Sequence, residues 1–344
     1  MTGRERMQLI VADVGGTNTR LARAEYAHGT WHLHAITRYP SREYPGPDAI
    51  LADWLARPEQ AGVQFRGAGL AVAGPVHGEH ARVTNLDWPA LTASDLAASA
   101  GVPVALLNDF AAVGACLEAL TPEDRLILQQ GEADPSGPRL VTGAGTGLGT
   151  CLVTPNTTGD GEPVPPAIHP GEGGHARFSP ADAEENELAA FVTAEAGLCT
   201  REHLLSGRGI ARIGRFELER RDDPELGRAL AAAEPAAAIS TLADTGHAAA
   251  LAVIRRFVTL YAGQLADMAL TALPRGGVFI GGGIAPRWAD HFLAPAFREA
   301  FRARPPMEDL LERLPVELII HPEPGLLGAA VAASRARDHG APAP

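Results

Sequence analysis

Lysine is missing from this chain: all 29 basic residues among its 344 are arginine. The absence excludes every mechanism that depends on a lysine amine, including Schiff-base chemistry, pyridoxal phosphate enzymes, P-loop ATPases and protein kinases. Cysteine is scarce as well. The 3 present, Cys116, Cys151 and Cys199, stand far apart, with no pair at metal-ligand spacing. An odd, sparse count argues against a disulfide framework and fits a reducing compartment. No stretch approaches the roughly 18 uninterrupted apolar residues of a membrane helix. The opening residues carry charge, and their apolar stretch is too short for a signal peptide. Together these point to a cytoplasmic protein. Basic runs are lacking too: 41 acidic residues give a formal charge of −12, which argues against nucleic acid or an anionic membrane as partner.

What is present suits a globular enzyme. The length corresponds to roughly two domains of about 150 residues, and an apolar fraction of 46% is enough for a sizeable core. Strand-like apolar runs alternate with helix-like ones, the pattern of an α/β protein. Leu9–Ala12 and Leu21–Ala24 flank a Gly-Gly-Thr-Asn turn. Gly67–Ala73 and Val102–Leu107 read as further strands, and a helix is expected over Ala111–Leu120. Leu140–Thr142 and Thr150–Val153 enclose a second glycine turn. Residues 154–174, rich in Pro and Gly, read as a long irregular loop. Helix is expected over about 184–205, interrupted near Gly197. Leu251, Ile254, Val258, Tyr261, Leu265 and Met268 recur at helical steps and predict one long core helix, stopped by Pro274 and Gly276-Gly277. Strands Val278–Ile280 and Val316–Ile320 follow, then a final helix opening near Gly325. Strand, glycine turn with Thr, strand occurs at residues 9–24 and again at 140–153, an internal echo that suggests two related lobes.

The glycine turns are the first candidates for chemistry. One contains Asp13, Gly15, Gly16, Thr17 and Asn18, the other Gly145, Thr146 and Gly147, and Gly282-Gly283 follows a third strand. Without a Cβ, glycine lets backbone N–H groups approach an anion closely, and threonine hydroxyls add donors. Two such turns and a third glycine cluster point to nucleotide phosphates, whereas a single turn would serve equally well as a tight hairpin. Neither turn matches the dinucleotide or P-loop fingerprint. Asp13, ending its strand beside the first turn, is placed to hold Mg²⁺ directly or through water, in competition with an Asx-turn role.

Three further places carry polar groups in suggestive settings. Asn108-Asp109 follows a buried strand and precedes a helix, where α/β folds collect ligands. Asp109 can take a proton from a substrate hydroxyl and Asn108 can bond a neighbouring one, but both are also good helix caps. Glu172 and His175, joined by Gly173-Gly174, offer an acceptor and a switchable donor or acceptor, a pair suited to a polyhydroxylated ligand. Glu202 reads as a solvated helix carboxylate.

Taken together, the segments Asp13–Arg20, Asn108–Ala112, Gly143–Gly149, Pro170–His175, Leu205–Gly209, Gly276–Arg287 and Pro324–Ala329 resemble the bacterial glucokinase family, within the sugar kinase/Hsp70/actin superfamily. The resemblance implies a two-lobed, actin-like (ribonuclease H-like) ATPase fold with an interlobe cleft. Residues 1–109 plus a C-terminal helix, 325–344, would form the small lobe and 110–324 the large one. It implies transfer of the γ-phosphoryl group of ATP to the 6-hydroxyl of glucose, with Asp109 as general base. Asn108, Glu172, His175 and Glu202 would hold the sugar, Glu202 on this carry-over alone. The glycine turns would surround Mg-ATP. A homodimer is implied, and no zinc, since the cysteine-rich motif of the related repressor/kinase branch is absent. Arg208 stands where that family usually has Pro, Glu323 where Asn is common, and Ala12 where Gly is frequent. A broader hexose kinase acting on mannose or fructose, and a non-catalytic sugar sensor, are the competing readings.

Overall fold

In the computed structural model, which describes residues 7–158 and 162–339, the chain divides into two units. The first runs to Asp124 and resumes at His321; the second is Arg125–Ile320. The first unit therefore holds more of the chain than the expected 1–109, because helix Asp109–Cys116 packs on the C-terminal helix Pro324–His339. That contact is close enough that a side chain at Gly328 would land on the Ala112 carbonyl, which explains the glycine. Residues 340–344 of the expected C-terminal helix lie outside the described residues.

The first unit is built on a five-stranded sheet in the order Thr30–Pro40, Asn18–Ala27, Met7–Val14, Ala68–Val72, Val104–Asn108. The first three strands are antiparallel and the last three parallel. Side chains alternate across the pleat, so Ile10, Ala12 and Val14 face one core with Leu51, Trp54 and Leu70. Leu9 and Val11 face the other, under Leu326, Ala329 and Ala333 of the C-terminal helix. Covered on both faces, Met7–Val14 carries an almost continuous apolar run.

The second unit repeats this strand order. Pro163–Gly171, Leu148–Thr157, Arg139–Ala144, Gly277–Gly281 and Val316–Ile319 lie side by side, followed by an antiparallel edge strand, Arg125–Gln129. The long helix Ala248–Ala272 fills its core, with Ile254, Val258, Tyr261, Leu265 and Met268 buried as the helical spacing predicts. Helix Ala183–Ala196 ends at Gly197 in the left-handed region, and Arg201–Leu204 follows.

The expected loop over residues 154–174 is corrected. Pro163–Gly171 is a strand, paired to Leu148–Thr157 with Cys151 opposite Pro170 and Val153 opposite Ile168. Four prolines fit because the strand lies at the sheet edge, where one side of the backbone has no ladder to donate to.

Candidate active site

In the first unit the candidates gather at the carboxyl ends of the three parallel strands. Register places Asp13 beside Ala71 and Ala71 beside Leu107, so Asp13 stands two strand spacings, about 10 Å, from the base of the Asn108-Asp109 pair. The turn after Asp13 is tight: Gly15 N–H donates to the Asn18 carbonyl at 3.1 Å, and Ser41 Oγ donates to the Gly15 carbonyl at 2.7 Å. Thr17 is exposed at its tip.

Asn108 and Asp109 divide the two roles that the sequence left open. Asn108 is the cap of helix Asp109–Cys116: its Oδ1 accepts from Phe110 N at 2.9 Å and Ala111 N at 3.1 Å, while Nδ2 donates to the Gly74 carbonyl. Asp109, at the first helical position, accepts from Phe110 N at 2.9 Å and is half-buried. A carboxylate there is also favoured by the helix dipole.

Asp13 is not engaged in an Asx turn. It lies across the hairpin from Arg20, and the two form an ion pair. Arg20 reaches on to Glu323 at 2.6 Å. Burial pushes the Glu323 carboxyl up from its ordinary value, Arg20 pulling it down and Asp13 adding to the rise. Neither partner was recognised from the sequence; the signal was the hairpin register, which sets residue 20 opposite residue 13. An ion that keeps most of its waters and leans on one carboxylate and the phosphates is magnesium. Asp13 offers such a carboxylate: it is one-fifth exposed and ends its strand beside the first glycine turn.

In the second unit the candidates converge on Leu148. Strands Arg139–Ala144 and Gly277–Gly281 run parallel with Gly143 beside Gly281, which brings their following turns together. Gly282 has φ +83, and a Cβ there would strike the Ala144 backbone. Thr146 is exposed at the tip of the other turn, and Gly207 N–H donates to the Gly145 carbonyl at 2.8 Å. Leu148 N–H donates to Glu202 Oε2 at 3.0 Å, and a side chain on Gly147 would meet that oxygen at 2.6 Å. Glu202 is thus 17% exposed and bonded to the glycine turn, not the solvated carboxylate expected from its helix.

The Glu172–His175 loop packs against the same residue, since a side chain on Gly174 would collide with the Leu148 carbonyl. Thr150 braces it, donating to the Gly171 carbonyl at 3.0 Å and accepting from Gly173 N at 3.2 Å. Arg201 adds a longer contact to the Gly173 carbonyl at 3.5 Å. Glu172 Oε2 and His175 Nε2 lie 3.8 Å apart, both well exposed, so their polar atoms remain available to a ligand. The first unit thus sets Asp13 and the Asn108-Asp109 pair at the ends of its parallel strands, and the second sets Glu202, Glu172 and His175 near the glycine turn around Leu148.

The profile of the glucokinase family matches residues 10–336. The chain belongs to the glucokinase family. The glucokinase of Tolumonas auensis is 35% identical over 94% of this chain and 95% of its own length. That of Salmonella typhi is 32% identical over 93% and 95%. Among solved structures, a glucokinase from an Antarctic psychrotroph superposes with a TM-score of 0.78 at 27% identity, covering 95% of this chain and 99% of that one. A glucokinase from Balamuthia mandrillaris, in complex with glucose, shares the fold at TM-score 0.77 and 22% identity, covering 97% and 95%. The fold is that of the actin-like sugar kinases.

Proposed function

We propose that the protein is an ATP-dependent glucose kinase that transfers the γ-phosphoryl group to the sugar 6-hydroxyl, giving glucose 6-phosphate. Membership of the family supports the reaction type. The observation that carries the assignment of the base is the division of labour at residues 108 and 109. Asn108 provides the two cap bonds, so the neighbouring carboxylate is not the helix's cap.

Phosphoryl transfer asks for positioning and charge stabilisation more than covalent chemistry. Asp109 accepts the proton of the 6-hydroxyl as the oxygen attacks phosphorus. Glu172, His175, Glu202 and the remaining N–H of Asn108 hold the other hydroxyls. Main-chain donors of Gly15, Gly16, Thr17 and Asn18, of Gly145, Thr146 and Gly147, and of Gly282 and Gly283 cradle the nucleotide phosphates. Bound magnesium supplies charge neutralisation of those phosphates, and Asp13 is the residue that would hold it, directly or through water. Arg20 keeps the Asp13 carboxylate in one orientation. We also infer a cytoplasmic homodimer, which light scattering on the purified protein checks.

The deciding experiment is a coupled assay for glucose 6-phosphate on wild type and Asp109→Asn, with ATP, ADP and polyphosphate as donors and mannose and fructose beside glucose. ATP and glucose are expected to give the highest kcat/KM. Equal turnover of Asp109→Asn would remove the general base from the scheme, and absence of any sugar-dependent ADP release would return the protein to the class of sugar sensors.

A further inference from the structure

Arg208 lies beside the second glycine turn, and the site described above leaves it without a task. Its guanidinium Nη2 bonds Glu202 Oε1 at 3.3 Å, while Glu202 Oε2 is held by Leu148 N–H of the turn. The preceding residue, Gly207, donates its N–H to Gly145 of the same turn. The cation is therefore one carboxylate away from the proposed phosphate cradle, tethered to it on both sides. Its side chain is 68% exposed, and one of its five N–H donors is used.

Two physical points give this placement meaning. First, a carboxylate beside an anion cradle works against it, because like charges repel, and more strongly where the local dielectric falls below that of water. Arg208 cancels that charge where it would do most harm. Second, the chain has no lysine, so a side-chain cation for the polyphosphate has to be arginine. Arg20 is tied to Asp13 and Glu323, and Arg201 is turned toward Gln264 and the Gly173 carbonyl. Arg208 is held by one exposed ion pair, of a kind that contributes little, and its planar fork can face a carboxylate with one edge and a phosphate with the other.

We propose that Arg208 is a phosphate-binding residue of the nucleotide site, resting on Glu202 and contacting the polyphosphate of the bound nucleotide. The proposal rests on the nucleotide-site reading above. Nucleotide affinity is measured by titration calorimetry for ATP, ADP and adenosine on wild type, Arg208→Gln, Arg208→Lys and Arg275→Gln. Arg275 is a control of matched exposure, 66%, which precedes the strand whose far end carries Gly282. Thermal unfolding verifies that each variant is folded, and KM for glucose is measured alongside.

Arg208→Gln is expected to weaken ATP about three- to tenfold and ADP less, leaving adenosine within twofold, the scale of a partly exposed charged contact. Arg208→Lys is expected to recover part of the loss, since it restores the charge without the second edge of the fork, and Arg275→Gln to show none. Unchanged ATP affinity, an equal loss for adenosine, an equal loss in Arg275→Gln, or a rise confined to KM for glucose overturns the proposal. That last result would make Arg208 a positioning residue for Glu202 alone. Wild type that binds no ATP overturns the reading of the site itself, whereas wild-type binding untouched by Arg208→Gln overturns only the role of Arg208.

Discussion

A carboxylate at the first turn of a helix can be there for the helix or for the chemistry, and at Asp109 the neighbouring residue separates the two. Because Asn108 supplies the cap, Asp109→Asn keeps both cap bonds and the Phe110 contact has an amide oxygen to replace the carboxylate. Thermal stability should stay within about 1 kcal/mol, the worth of a whole cap. Turnover should fall by about 10²- to 10⁴-fold, the contribution of a general base, with KM for glucose nearly unchanged. A stability loss that tracks the activity loss would instead make Asp109 structural. What local spacing made legible was placement: Asp13 and Asn108-Asp109 at strand ends, the glycine turns in their hairpins, and Glu172 and His175 beside each other. Contacts made by partners distant in sequence were illegible. Glu202 appeared solvated because nothing in its helix announces that Leu148, 54 residues away, donates to it. Arg20 and Glu323 reach Asp13 through a hairpin register and a chain return that local pattern does not encode.

Secondary elements divide along the same line. The long helix Ala248–Ala272 and the strands before each glycine turn follow from apolar spacing and turn chemistry. Strand Thr30–Pro40 was not recognised, although exposed His32, His34, Ile36 and Arg38 alternate with the more covered Trp31, Leu33 and Tyr39; its composition is too polar to read as a core strand. The proline-rich edge strand reads as a loop from sequence because proline's penalty depends on sheet position, a tertiary fact. Two tests belong here. Gly328→Val should cost more than about 3 kcal/mol, the class of severe overpacking, because its side chain has to occupy the Ala112 carbonyl; an unchanged melting temperature would show that the two helices can part freely. Arg256 on the long helix bonds Glu217, buried at 1%, at 2.7 Å and Glu184 at 2.6 Å. Arg256→Met should cost about 3 kcal/mol at pH 7, the lower end for an orphaned buried charge because Arg221 stays 3.5 Å from Glu217. The bond from Arg256 holds Glu184 below its ordinary value of 4.5, so this stabilisation is present above that value and is lost as pH falls through the depressed one. The gap in melting temperature between wild type and Arg256→Met should therefore narrow on acidification; a gap that widens would contradict the assignment.

Each of the two units has its own hydrophobic core and its own sheet, and the sheets share the order antiparallel hairpin first, parallel strands after. The echo between residues 9–24 and 140–153 is thus an echo of whole topologies, each with a glycine turn in its hairpin tipped by an exposed threonine, Thr17 or Thr146. The absence of lysine bears on how the chain can meet anionic charge. At a net −12 and with no lysine, the proposed nucleotide site would meet a polyphosphate through backbone donors, a metal ion and arginine. This separates two reagents that often act alike. Acylation with a succinimidyl ester finds no lysine and should leave glucose phosphorylation within about twofold of the untreated enzyme. Phenylglyoxal, which modifies guanidinium groups, should inactivate it in a first-order decay. Saturating Mg-ATP should slow that decay if the sensitive arginine lies at the phosphates, and Arg208→Gln, which lacks the proposed target, should be inactivated more slowly than wild type and gain less from Mg-ATP. Phenylglyoxal inactivation indifferent to nucleotide would show that no accessible arginine holds the phosphates.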